Sequence, residues 1–422
     1  MVEENSTLID ADEQGIASDD ATWILTASFI IFTMQTGFGL LESGCVTRKN
    51  EVNILIKNLV DVVFGGIAYW IFGYALQYGS EPGTNPIFGV GGFLLDAGNT
   101  NVGSTYATFI FQLSFATTAT TIVSGAMAER ADFTAYCIFS LVNTLTYCIA
   151  AGWVWGNHGF LAKMGYIDFA GSSAVHLLGG VCAAVSALML GPRLRRYDGQ
   201  SPPSLGNPIN FVVGSLVLWW GWLGFNCGST FGISGQKWLY AGRAAITTVN
   251  GSLSGGLVGV VWSLWFQGMF EASVIINGIL AGLVGITASC AYVQPWEALL
   301  IGAIGALLAS SSVRLLDYLK VDDPVGAIAV HGAAGMWGTL AVGVFIETPD
   351  KGKGLIHGGT FYLLGVQCLG IVSITLWSAV TTFLMLFLIG KVRPIRMSPW
   401  REILGADLAE HGIRHFKCYD YN

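Results

Sequence analysis

Two histidines carry the most pointed chemistry in this sequence. His176 stands in Ala174-Val175-His176-Leu-Leu-Gly-Gly180, and His331 stands in Ala329-Val330-His331-Gly-Ala-Ala-Gly335. The stretches echo one another, and of six histidines only these two fall inside long apolar runs. An ionisable side chain in such a run is costly and marks a functional site by default. A neutral imidazole offers one donor and one acceptor, and burial disfavours its charged form. Two such rings side by side can share a proton, and their outer nitrogens can contact a small polar solute or relay a proton. The plainer reading makes each a core histidine bonded to a neighbouring helix, and the matched placement of the two weighs against it. No nucleophile and no metal-ligand spacing of Cys or His accompanies the pair, so it does not read as an enzyme active site. No cofactor is expected.

A second constellation is aromatic. Trp153 and Trp155 close the fourth apolar run; Trp219, Trp220, Trp222 and Phe225 crowd the sixth, followed by Asn226, Gly228 and Ser229. An interfacial belt accounts for most of the 14 Trp. Trp155 and Ser229, however, sit at outer ends of runs, where an indole face and a hydroxyl can together hold a small cation. Asp168, in Tyr166-Ile167-Asp168-Phe169-Ala170-Gly171, reads as a helix cap, which is compatible with a functional role if the cap also shapes the entrance. Phe115 ends Phe111-Gln112-Leu113-Ser114-Phe115 in the third run. Lys57 and Asp61 stand at i and i+4, where they are expected to pair, and Glu42 is expected to be structural. No acidic residue is expected along the path between the histidines and solvent.

The elements that must position these residues follow from composition. Of 422 residues 53% are hydrophobic and only 11% are charged, against roughly 25% charged in soluble domains. Glycine numbers 56, nearly twice the usual share of about 7%. Disorder is excluded, and a net charge of −7 without a basic stripe argues against nucleic acid. A polytopic membrane protein remains, with small residues that let helices approach closely.

Eleven segments reach the ~20 apolar residues a bilayer span needs: 22–44, 53–76, 105–129, 135–155, 173–192, 209–229, 243–266, 272–292, 296–315, 325–347 and 363–390. With the N-terminus outside, fifteen Lys and Arg fall on the inner side. Five fall outside (Lys163, Lys237, Arg243, Lys351 and Lys353), which accounts for all 20. The positive-inside rule therefore selects N-out, C-in. Residues 1–21 form an outer tail without signal-peptide character, so the first span is expected to insert by itself. Asn5-Ser6-Thr7 is a sequon on that tail. Residues 391–422 form an inner tail. Cys137, Cys148, Cys182, Cys227, Cys290 and Cys368 lie in spans and are expected to be buried free thiols.

The histidine echo relates spans five and ten. Gly37-Phe38 and Gly224-Phe225 relate spans one and six by the same offset of five. An odd offset inserts the halves with opposite topology, about 22–192 and 209–347, with 363–390 appended. Such inverted repeats hold their substrate site near the midplane.

Several motifs, in order along nearly the whole chain, resemble the ammonium transporter branch of the ammonium transporter/Rhesus family. They are Phe-Ala-Gly-Ser-Ser-Ala-Val-His ending at His176, Trp-Gly-Trp-Leu-Gly-Phe-Asn-Cys-Gly-Ser over 220–229, Gly-Ala-Met-Ala-Glu-Arg over 125–130, Val-His-Gly-Ala-Ala-Gly over 330–335 and Gly-Ala-Asp-Leu-Ala-Glu-His-Gly over 405–412. The resemblance implies an all-α, eleven-helix fold, a homotrimer with one pore per subunit, and a place in the cell membrane. It implies that Phe115, Trp155 and Ser229 recruit ammonium, with Asp168 supporting them through the backbone. Phe115 and Phe225 would stack as a gate. His176 and His331 would be the paired histidines of the lumen, with Trp222 lining it.

An intact ammonium ion meets a desolvation cost of tens of kcal/mol in an apolar lumen. Recruitment, deprotonation, passage of ammonia and separate proton relay therefore form the expected mechanism, with methylammonium as a possible analogue. The alternatives are a passive ammonia channel of Rhesus type and an ammonium sensor signalling through 391–422.

Overall fold

The computed structural model describes residues 16–97, 102–199, 205–348 and 351–415, and it is helical almost throughout. Asn5 lies outside the described residues. The long helices are α1 (Ser18–Cys45), α2 (Arg48–Tyr78), α3 (Val102–Ala126), α4 (Phe133–Trp155), α5 (Ser172–Leu190), α6 (Pro208–Gly228), α7 (Lys237–Gln267), α8 (Ala272–Thr287), α9 (Pro295–Tyr318), α10 (Ile328–Phe345) and α11 (Phe361–Val392). A small hairpin, β1 (Glu347–Thr348) and β2 (Gly352–Lys353), precedes α11. Helices suit these apolar sequences because each satisfies its own backbone where no water can. Several are started by side chains: Asp132 accepts from Ala135 N, Asn207 from Asn210 N, and Gln294 and Glu297 form a capping box.

Among the described residues, ten helices are long and apolar enough to cross a bilayer, and α8, with 16 residues, falls short. The expected run 272–292 is thus only partly helical. The cause is local. Ser172 Oγ donates to Val284 O (2.8 Å) and accepts from Ala288 N (2.8 Å), so it stands where the next 288→284 helical bond would form.

The packing pairs α1 with α6 and α5 with α10, and each pair is antiparallel. At both crossings the backbones touch. A Cβ added at Gly214 would stand 2.2 Å from Leu41 N, and one at Gly180 would stand 2.3 Å from Gly332 N; only glycine fits such an approach. The outward faces of α7, α9 and α11 expose Leu257, Val261, Leu315, Leu376 and Leu388, an apolar belt of the kind lipid covers.

On one face of the bundle a short tail, α12 (Pro399–Leu404) and α13 (Ala406–His411), is tied to the loops. Asp407 accepts from Val52 N and Asn53 N, Lys49 Nζ donates to Glu402 O and Ile403 O, and Arg393 and Arg401 pair with Asp132. Burial alone would raise the Asp132 carboxyl, but the Arg393 hydrogen bond holds it below the ordinary range. The 125–130 motif belongs to this face: Glu129 binds Thr47, Asn50 and Arg193, and Arg130 donates to Gly191 O and Asp322 O.

Two expectations are corrected. Lys57 and Asp61 do not pair. Asp61 Oδ2 instead accepts from Tyr136 OH (2.7 Å) and Thr121 Oγ1 (3.3 Å), while Lys57 Nζ lies over the Tyr136 ring at 5.2 Å and forms no hydrogen bond among the described residues. The tyrosine from α4 outcompetes the neighbour along the helix. Of the thiols, Cys148, Cys182, Cys227 and Cys290 are buried, but Cys137 is half-buried and Cys368 is exposed on α11. In a bilayer the outward face is as apolar as the core, so apolar context does not imply burial.

Candidate conduction site

The site is built where α5 and α10 begin. Both open with a wide, π-type turn, Ser172–Leu177 and Ile328–Ala333, and each turn carries one of the histidines. A carboxylate pins the start of each. Asp168 Oδ1 accepts from Gly171 N (2.8 Å) and Ser172 N (2.9 Å). Its Oδ2 accepts from Ser173 N (2.7 Å), Ser173 Oγ (2.6 Å) and Ala174 N (3.1 Å). Asp323 does the same for α10 through Gly326, Ala327 and Ile328 N. Asp168 precedes His176 by the same eight residues as Asp323 precedes His331.

The two rings meet in the buried centre. His176 Nδ1 and His331 Nδ1 stand 3.2 Å apart, with centroids 5.2 Å apart and planes at 22°. If both rings are neutral, one Nδ1 donates and the other accepts, so one Nε2 carries a proton and the other a lone pair. His176 also stacks on Trp222 at 4.9 Å, and the indole is fixed by its own bond to Thr287 Oγ1 (2.9 Å). His176 Nε2 has no hydrogen-bond partner among the described residues.

On the side away from the tail, the path is closed by rings. Phe115 and Phe225 stack at 4.0 Å with planes at 12°, and Phe225 lies 5.6 Å from His176. Both phenyls are buried. Trp155 meets Phe115 edge-on at 5.9 Å, and its Nε1 donates to Asp168 O (2.8 Å). Above them opens a depression of about 380 Å³ bordered by Trp155, Asp168, Ser229, Lys237, Tyr292 and Lys351. Ser229 Oγ donates to Phe225 O (2.9 Å), which leaves its lone pairs as acceptors. The Asp168 carboxylate is spent on backbone and hydroxyl donors, so its contribution to this mouth is the shape it imposes. The structure thus brings Phe115, Trp155, Asp168, His176, Trp222, Phe225, Ser229 and His331 into one column.

The tail-side half of the column holds residues the sequence reading did not single out. Phe38 lies 6.0 Å from His331, as Phe225 lies against His176. The Gly37-Phe38 echo of Gly224-Phe225 was the signal for it. Beyond His331 is a space of about 10 Å³, bordered by Phe38, Glu42, Trp222, Asn277 and His331, room for one water-sized molecule. Glu42 corrects the expectation of a path free of acidic residues: it follows Phe38 by one turn of α1 and so faces the same way.

Comparison with known proteins shows the family. Residues 22–416 match the model of the ammonium transporter family. Putative ammonium transporter 3 of Caenorhabditis elegans is 43% identical over 412 residues, covering 94% of this chain and 60% of that protein, so the chain spans less than two thirds of its length. Ammonium transporter Amt2 of Archaeoglobus fulgidus is 38% identical, covering 93% and 87%. Among solved structures, a protein described as a sensor Amt protein superposes with a TM-score of 0.86 at 33% identity, covering 93% and 98%. Mep2 of Candida albicans superposes with 0.83 at 27%, covering 92% and 88%.

Proposed function

The chain belongs to the ammonium transporter family, and on that premise we propose that it carries ammonium across the cell membrane by splitting it. Ammonium is recruited between the Trp155 face and Ser229 Oγ, where the indole quadrupole and the hydroxyl lone pairs favour a small cation. Asp168 holds the Trp155 indole through its backbone carbonyl and pins the start of α5 through its carboxylate. The ion gives up its proton, because a bare cation beyond the Phe115–Phe225 stack would lose its hydration without a counter-charge. Neutral ammonia slips past the rings and along His176, Trp222 and His331. The proton travels separately along the bonded imidazoles, which makes transport electrogenic. Potassium has no proton to give and is refused.

The observation that carries this reading is the Nδ1–Nδ1 contact of 3.2 Å directly behind a closed phenyl stack. It offers a proton path where no hydrated ion fits. The antiparallel pairing of α1 with α6 and α5 with α10 supports inverted halves meeting at this column. Counting α8, eleven spans leave the termini on opposite sides, with the tail face cytoplasmic under the positive-inside rule. A homotrimer with one column per subunit completes the proposal.

The test is ammonium or methylammonium uptake in cells lacking their own transporters, comparing wild type with His176→Ala and Trp155→Ala, together with currents evoked by ammonium and potassium. Full uptake by both variants overturns the site. Uptake without inward current overturns the electrogenic mechanism and leaves passive ammonia conduction.

A further inference from the structure

The tail-side half of the column repeats one step of the other half with a residue changed in kind. Phe225 is followed four residues later by Ser229, and its counterpart Phe38 is followed four residues later by Glu42. Where one mouth has a hydroxyl, the other end has a carboxyl group. Glu42 is 1% exposed and borders the same small space as His331. Its oxygens are held by Asn58 Nδ2 (2.7 Å) and Ser124 Oγ (2.6 and 2.8 Å). A carboxylate has about four acceptor sites, so acceptor capacity is left over. Asn277, which also borders the space, has a buried Oδ1 with no hydrogen-bond partner among the described residues. Two residues with oxygen acceptors to spare, bordering room for one small molecule, suit a species rich in N–H donors. Lys57 and Asp61, the other ionisable groups at this level, are engaged with Tyr136.

We propose that Glu42 is the group that returns a proton to ammonia at the tail-side end of the lumen. The proposal rests on the reading that ammonia and its proton travel separately. Ammonia arriving past His331 takes the proton of the Glu42 carboxylic acid: the O–H bond breaks, the nitrogen lone pair forms a new N–H bond, and a carboxylate–ammonium pair results. Asn277 Oδ1 accepts from the new cation, which departs toward the tail. The next proton delivered through His331 restores the acid, so each cycle moves one ammonia and one proton.

The experiment uses the full chain in liposomes, with charge movement and internal pH recorded after an ammonium jump. Wild type gives a current without internal alkalinisation, because each ammonia emerges with its proton. Glu42→Gln keeps the shape and the Asn58 bond but has no proton to give. Its current is expected to fall about a hundredfold, the low end of what a positioned proton-transfer group contributes. Alkalinisation should appear as bare ammonia draws protons from the internal buffer. Glu42→Asp, which keeps a titratable group, should retain current. An unchanged current in Glu42→Gln overturns the proposal, as does joint loss of current and ammonia flux, which marks a packing role. An infrared difference spectrum of wild type on ammonium addition needs no variant; absence of a carboxyl band also overturns it. Failure of the separate-proton reading itself shows elsewhere, as alkalinisation without current in wild type.

Discussion

Asp168→Asn separates two ways a carboxylate can serve an ammonium site. The structure gives Asp168 five donors, two on one oxygen and three on the other. An amide keeps one oxygen. In its better orientation it still turns an NH₂ toward Gly171 N and Ser172 N, so two bonds are lost and two buried N–H groups face a donor. Hydrogen bonds to a charged group contribute about 1.5–3 kcal/mol each, so the loss is about 3–6 kcal/mol. That is a large part of the roughly 5–15 kcal/mol that holds a fold together. At about 2 °C per kcal/mol, the figure for larger domains, Tm should fall by at least 6 °C. Asp323→Asn gives an internal scale. Asp323 accepts three bonds, and its amide can keep two of them, so its loss should be about half as large. The assay is thermal denaturation of the detergent-solubilised protein beside ammonium uptake. An Asp168→Asn protein with the wild-type Tm and only a raised KM would show that the carboxylate binds the ion itself, and the backbone-positioning argument would fail.

Three further outcomes are expected. Trp155→Leu removes a cation–π contact of about 1 kcal/mol at a half-exposed mouth, so KM should rise about fivefold with the maximal rate kept; a fall in rate at constant KM would contradict this. Gly180→Ala drives a methyl into the Gly332 backbone and should cost about 3 kcal/mol in chemical or thermal denaturation, and a neutral result would mean the α5–α10 crossing relaxes freely. Burial holds the His411 ring below its ordinary value, against the attraction of Glu410 and Asp407 and alongside the repulsion of Lys57, and Asn53 Nδ2 lies 3.0 Å from its Nε2. A base whose docked value is depressed takes its proton more readily when released, so docking of the tail weakens as pH falls through about 6.5. Proteolysis of Pro399–His411 should be faster at about pH 5.5 than at about pH 7.5, and His411→Gln should abolish the difference.

The sequence made the column legible where it repeated itself. His176 and His331 declared themselves as a matched pair, and Trp222, Phe225 and Ser229 lay close together in one span. The same repetition held more than the reading took from it: the Phe225 echo pointed to Phe38, and the eight-residue interval from Asp168 to His176 pointed to Asp323. Glu42 was legible as a residue but not as a neighbour of the path, because α1 is apolar all round and its sequence does not say which face turns inward. The Lys57–Asp61 pair failed for a related reason. Spacing along one helix gives proximity, but Tyr136, on another helix and seventy-five residues from Asp61, makes the shorter contact. The end of α8 was likewise decided by a hydroxyl from a distant helix.

The wide turns under the two histidines have a consequence for how such a chain tolerates insertion and deletion. A π-type turn takes in one residue more than an α-helical turn, so each ring stands out of phase with the remainder of its own helix. Deleting a single residue from 172–177 or 328–333 would let the turn close to ordinary α geometry. Everything toward the far end of that helix would keep its contacts, while the imidazole swung by about 100°. Because the rings meet Nδ1 to Nδ1, a phase shift of that kind in one half alone would leave the other histidine facing nothing. Length variation in this protein is therefore tolerable in its loops and forbidden at the two short stretches that carry the histidines.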